Sequence, residues 1–395
     1  MKKLTRILCL MVAAILLSCV AWTSVAAAEV SPAKKGLDAM TQQFEKKTTG
    51  YVADMWTALS LRTSGEMNNA DYMDLIPAVD LSKVPADDLL SLTPAVMSLV
   101  LSGIDPTDVS GRHPAAELLA LLTEENGFTG TTNPGDDAAA AWALYMANKK
   151  YGTAFSDADK SKIINYLNRE RKTDGDYAGG YVMPVFLSNV DVSAQVLIGQ
   201  VLLGDSNSAD RTASYLLSTL DGDCKLFLSD WYYSDDAFGS GTDASPNAQA
   251  LALAALAMWK LSKDAEADLA ADADLKGPYE GLLTFQLEGG EFAYMGAASF
   301  FADKQCIWAA NFFDAAVRGN VMTLFNETRY LVLAKAAPPV EEEKTVSTDP
   351  SSTPAESVVP PTGEQIAVWI IVILIVAVVV LAAVILVPAL MKRKK

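Results

Sequence analysis

The chain has 395 residues, a formal net charge of −17, 51% apolar residues, one His and four Cys. It is long enough to bury one large core. The acidity excludes a nucleic-acid binder, which must neutralise phosphate, and a single His excludes His-rich metal sites and catalysis by two imidazoles.

Lys2, Lys3 and Arg6 precede an apolar run of 16 residues, Ile7 to Trp22, and then Ser24-Val25-Ala26-Ala27-Ala28. A charged start, an apolar stretch and an Ala-x-Ala end predict a secretory signal over 1–28, cut after Ala28. Leu16-Leu17-Ser18-Cys19 leaves a lipoprotein signal as the alternative.

The body, 29–336, is dominated by Ala- and Leu-rich runs at helical spacing, with sparse strand signals. Four runs align: Ala141-Trp142-Ala143-Leu144, Ala194-Gln195-Val196-Leu197, Ala248-Gln249-Ala250-Leu251 and Lys304-Gln305-Cys306-Ile307. Their second residues lie 53, 54 and 56 apart, a period that means a helical repeat. Two earlier runs, Asp54 to Leu59 and Asp88 to Leu101, have the same character.

Ala248 to Met258 holds one polar residue, Gln249, so this helix is predicted to be buried on all sides. Amphipathic stretches alternate with such runs: Ser156 to Arg171, Ser208 to Leu220 and Asp274 to Leu287. The expected fold is all-α, with six inner helices inside six outer ones, an (α/α)6 toroid. An open solenoid would leave one face of each inner helix wet.

Outer helices end in Gly beside an aromatic: Gly127-Phe128, Gly175-Asp176-Tyr177, and Gly290-Glu291-Phe292 after Gln286. The last resembles the Gln-Trp repeat of terpene cyclases, with Phe for Trp. With the inner-helix register, the body resembles the α/α-toroid superfamily of squalene cyclases and protein prenyltransferases. It is most similar to bacterial secreted proteins with prenyltransferase and squalene-oxidase repeats. Leu99-x-x-Ser102-Gly103-Ile104-Asp105-Pro106-x-Asp108-Val109-x-Gly111 resembles a segment common in that group.

The resemblance implies a fold rather than an activity. Prenyltransferases hold zinc with Asp, Cys and His in that order, whereas His113 precedes Cys224 and Cys306. The Asp-x-Asp-Asp acid of squalene–hopene cyclases and the Asp-Asp-x-x-Asp magnesium motif are absent. No cofactor or metal is expected, and His113, before Pro114 at a helix start, reads as a surface residue.

Asp137, Asp191, Asp243 and Asp303 stand near inner-helix starts and are read first as N-caps. A pair of them serving as acid and base for sugar cleavage, or binding a cation, is the sharper reading. Long loops reach the same rim with aromatics beside acids: Tyr181; Trp231, Tyr232, Tyr233 and Asp235; Phe292, Tyr294 and Phe301. With Asp191 and Asp303 these are the candidate ligand-binding residues; the alternative is that the rings plug the barrel mouth. Trp56, Trp142 and Trp308 are expected in the core. Cys224 and Cys306 are either a disulfide or two buried thiols.

Ala337 to Gly363 has six Pro, eight Ser or Thr and no aromatic in 27 residues, and reads as an extended stalk. It closes on Val359-Pro360-Pro361-Thr362-Gly363-Glu364. The segment 364–395 follows, with 26 uncharged residues from Ile366 to Met391 and then Lys392-Arg393-Lys394-Lys395. That order resembles the sortase cell-wall sorting signal, Leu-Pro-x-Thr-Gly with an apolar stretch and a basic tail. It implies a sortase-like transpeptidase as partner, cleavage between Thr362 and Gly363, and attachment through Thr362. A Pro-rich linker above a plain membrane helix is the alternative, and the apolar run is long enough to span a bilayer with a cytoplasmic tail. Loss of both termini takes the charge to −24 over 29–391. The sequence therefore predicts a toroid on the extracellular face, anchored to membrane or wall. Its expected role is a non-catalytic module for an unidentified small-molecule, glycan or protein ligand at the rim. The alternatives are an (α/α)6 carbohydrate-active enzyme and a corrinoid-binding protein.

Overall fold

The computed structural model describes residues 30–44, 55–66, 69, 72, 78–125, 127–183, 189–232 and 240–317. The signal segment, stalk, sorting motif and C-terminal apolar run lie outside the described residues. No helix among the described residues is long and apolar enough to cross a membrane.

Eleven helices are described: α1 Pro32–Phe44, α2 Met55–Ser64, α3 Leu89–Leu101, α4 Pro114–Ala120, α5 Pro134–Tyr151, α6 Asp157–Glu170, α7 Asn189–Leu203, α8 Ser206–Ser218, α9 Pro246–Lys263, α10 Ala273–Leu283 and α11 Phe300–Val317. Their ends follow from local chemistry. Ser156 and Asp159 form a reciprocal capping box at α6, and Pro at the first turn with Asn133 or Ser245 before it starts α5 and α9. Gly152 closes α5 in the left-handed conformation.

The packing is cyclic. α2 packs on α3, α3 on α5, α5 on α7, α7 on α9, α9 on α11, and α11 back on α2. These six are the inner ring. The remaining helices α1, α4, α6, α8 and α10 lie outside it, each against an inner neighbour. The outer helix expected between α2 and α3 falls largely on residues outside those described.

Every residue of Ala248–Met258 is buried, Gln249 included, as a run with one polar residue requires. The start of α9 meets the start of α11, where Asn247 Nδ2 donates to Gln305 Oε1 at 2.7 Å and the Cys306 thiol to the Pro246 carbonyl at 3.4 Å. Neighbouring inner helices are thus parallel, each outer helix carrying the chain back. The ring closes through α2 and α11: Asn311 Nδ2 donates to the Ser60 carbonyl at 3.1 Å and to Thr63 Oγ1 at 2.8 Å, and Ser60 Oγ donates to the Lys304 carbonyl.

Three indoles cross the interior. Trp56 of α2, Trp142 of α5 and Trp308 of α11 sit with ring centroids 5.6–6.4 Å apart, and Phe312 packs edge-on to Trp308. Trp142 and Trp308 are therefore core, and the partly buried Trp56 packs against it.

The strands occupy the long loops. β1 Ser229–Tyr232 pairs antiparallel with β2 Ser240–Asp243, and β3 Ala293–Tyr294 with β4 Ala297–Ala298. Cys224 is exposed and Cys306 buried, and both are free. The disulfide reading is corrected. Cys306 packs inside the wall of the ring, while Cys224 lies in the turn pressed against Gly277 of α10.

Candidate functional site

One device recurs at the start of the inner helices. The backbone N–H of Phe128 donates to Asp137 Oδ1 at 2.6 Å, that of Tyr181 to Ser193 Oγ at 2.9 Å, that of Phe227 to Gln249 Oε1 at 2.9 Å, and that of Phe292 to Asp303 Oδ1 at 2.5 Å. All four aromatics are fully buried. Each turn leaving an outer helix would otherwise bury an unpaired N–H, at a cost of about 1–3 kcal/mol. An inner-helix side chain supplies the acceptor.

This gives the true register of the repeat: Asp137, Ser193, Gln249 and Asp303. The sequence alignment through Trp142, Gln195 and Gln305 is displaced from it by five, two and two residues. In the structural register Trp142 and Trp308 are equivalent, each five residues beyond its Asp.

The N-cap reading of these acids is likewise corrected. Asn133 caps α5, and Asp137 lies a turn inside, bonded across to another element. Asp303 does the same in α11. Asp191 is half-buried in the first turn of α7, and Asp243 is exposed at the end of β2. Gln286, singled out with Gly290 and Phe292, donates from Nε2 to the Pro32 carbonyl at 2.8 Å and the Gly290 carbonyl at 2.9 Å, tying the turn after α10 to the start of α1.

The rim candidates divide. Tyr181 and Phe292 are enclosed, and Gln200 Nε2 donates to the Tyr181 hydroxyl at 2.9 Å, so both rings are plugs rather than ligand platforms. Tyr294 and Phe301 stay 42% and 55% exposed, with the Lys304 ammonium over Phe300 and Phe301 at 4.9 and 5.5 Å. Trp231 and Tyr232 lie in β1, paired with Gly241 and Ser240. Tyr233 and Asp235 lie outside the described residues. His113 is exposed, its Nδ1 within 2.6 Å of the Thr107 carbonyl.

Asp137 has a chemistry of its own. It is wholly buried, Oδ1 is held by Phe128, and Oδ2 has no partner among the described residues. Burial pushes its carboxyl up to about 8, the Phe128 N–H opposes this, and the charges of Asp136 and Glu170 add to the rise. Burial and the charge of Asp137 also push the Tyr166 phenol up. Gly127, at φ +66°, permits the arrangement, since a Cβ there would stand 2.3 Å from Asp137 Oδ1. Burial thus favours the neutral, protonated form of Asp137. The sequence signal for it was an acid one turn into a helix otherwise free of buried charge.

No protein-family model matches the chain, and no curated protein matches it by sequence. Among solved structures it is similar to the type II terpene cyclase MstE from Scytonema, without ligand, at 13% identity and a TM-score of 0.45, over 72% of this chain and 98% of that one. A variant of that enzyme holding its product, merosterolic acid A, gives 12% and 0.43 over 74% and 96%. Another, holding the substrate geranylgeranyl dihydroxybenzoate, gives 11% and 0.41 over 74% and 98%. The sequence predicts a non-catalytic binding module, whereas the solved structures the chain resembles are enzymes, with substrate and product complexes among them; at these identities the likeness is one of fold. No residue role is carried over from these enzymes.

Proposed function

We propose that the toroid is an enzyme that uses Asp137 as a general acid on a neutral substrate, working at the outer face of the cell envelope. The observation that supports this is the spare oxygen of Asp137 at a position where the fold needs only an acceptor. Ser193 and Gln249 meet the same need without a carboxyl. A neutral Asp137 would deliver its proton from Oδ2, and the Phe128 N–H at Oδ1 would stabilise the carboxylate left behind. The charges of Asp136 and Glu170 favour proton uptake afterwards and disfavour an anionic substrate.

The test is proton transfer itself. The mature protein, incubated in D2O with lipid and polar extracts of the producing cell, should yield a product carrying a non-exchangeable deuterium. Asp137→Asn, which keeps the acceptor for Phe128, should abolish it while the circular dichroism stays unchanged. The same yield of products from the variant would overturn the reading.

The placement rests on three segments: export by 1–28, display on the 337–363 stalk, and attachment to the wall through Thr362 by a sortase-like transpeptidase that cleaves between Thr362 and Gly363. Wall digests should release protein ending at Thr362, and Thr362→Ala should move it to the membrane fraction. Protein found only in membranes with Lys395 intact would refute wall attachment and leave the apolar run as a plain anchor.

A further inference from the structure

A second feature lies on the outside of the ring, and Asp137 is not part of its lining. Between the turn after α6 and the exposed side of α8 is an open depression of about 710 Å³, within the range of small-molecule sites. Arg171, Lys172 and Thr173 line it from the turn, and Arg211, Ser214 and Tyr215 from α8.

Its charge is opposite to that of the molecule. The chain is −17, yet three cations converge here. The one acid in the lining, Asp210, is already engaged: Trp259 Nε1 donates to its Oδ1 at 2.9 Å and Lys263 Nζ pairs with it at 2.5 Å. Arg171 is held by Asn168 Oδ1 at 3.0 Å and Ser208 Oγ at 3.2 Å, which fixes its guanidinium. Lys172 and Arg211 are exposed, and neither is ion-paired with a described residue.

The wall is firm. Lys172 and the Gly179-Gly180 stretch close on each other through two backbone bonds, Lys172 N–H to the Gly180 carbonyl at 3.0 Å and Gly179 N–H to the Lys172 carbonyl at 2.8 Å. The turn is seated on Tyr215 so closely that a Cβ on Gly180 would fall 2.2 Å from the ring. The Tyr215 hydroxyl accepts from Asn189 Nδ2 at 2.7 Å, which locks the ring beneath the turn.

Unpaired cations beside the hydroxyls of Thr173, Ser214 and Ser218, in a preformed hollow, match an oxyanion carried on a hydroxyl-rich ring. We infer that this depression binds an anionic sugar through Lys172, Arg211 and Arg171. The anion is a carboxylate or a phosphate, and the two sources share this chemistry.

Calorimetric titration of the mature protein with trigalacturonic acid, glucose 6-phosphate and neutral maltotriose tests it. One or both anions should bind, and maltotriose should bind at least about ten-fold more weakly. Binding should fall about ten-fold between low salt and 0.5 M salt, as screening requires. The double variant Lys172→Glu with Arg211→Glu should lose anion binding with its melting temperature unchanged, because both side chains are exposed and unpaired. Binding of one anion alone identifies the source and supports the proposal. Absence of binding by both anions, equal binding of maltotriose, or an unaltered double variant overturns it. Asp137→Asn should leave this binding intact, so the outcome is independent of the acid chemistry.

Discussion

Asp137 should cost the folded domain stability as the pH rises from about 4 to about 8. Its carboxyl is pushed from the ordinary 3.8 to about 8 in the fold. Below pH 4 the folded and unfolded chains both hold the proton, and no penalty arises. Between the two values the unfolded chain releases it and the folded chain keeps it, which costs about 1.4 kcal/mol per pH unit. Above pH 8 the penalty is complete, on the order of 5 kcal/mol. Asp137→Asn keeps the acceptor for Phe128 and removes the titration. In urea titrations the variant should therefore match the parent near pH 4 and exceed it by about 3–5 kcal/mol near pH 8. Parallel curves for the two proteins at every pH would show that Asp137 is ionised in the fold.

The second large effect is expected at the centre of the ring. Trp308 is wholly buried and touches Trp56 and Trp142, which reach it from two other helices. Trp308→Ala removes the wholly buried indole of this cluster, and a wall of parallel helices cannot collapse into the space without opening its hydrogen bonds. The cost should be about 3–5 kcal/mol, which lowers the melting temperature by on the order of 10 °C. Trp56, only partly buried, should cost less when truncated. A Trp308→Ala protein that melts within about 2 °C of the parent would mean that the indoles border open space rather than fill it.

The alternation of wholly apolar with amphipathic helices was legible because burial on all sides leaves no position for a charge. Ala248 to Met258 showed this without ambiguity. The phase of the repeat was not legible. An Ala-rich helix looks alike when shifted by a few residues, and only the bonds from Phe128, Tyr181, Phe227 and Phe292 fix the register. The acids were misread for a related reason. Asp near a helix start suits a cap, and periodicity says nothing of an N–H arriving from a distant loop. The loop aromatics were ambiguous in kind, since a ring that plugs a turn and a ring that stacks on a ligand have the same composition. Tyr181 and Phe292 proved to be the former, while Tyr294 and Phe301 keep an exposed face. The β hairpins were invisible, being two- and four-residue pairings in segments rich in small residues.

The closure of α2 on α11 also governs how the chain reaches its fold. Its hydrogen bonds join residues 244, 248 and 251 positions apart. Contacts so distant in sequence are intrinsically slow to form, since most of the chain must be ordered before they repay their entropy. As the polypeptide emerges from its N-terminus, α2 must wait with an apolar flank uncovered until the last inner helix arrives. The interval before closure is when the chain is most open to aggregation and proteolysis. A chain that stops before Lys304 cannot make the Ser60 and Thr63 contacts at all, so quality control of this protein reduces to whether its final inner helix has been delivered.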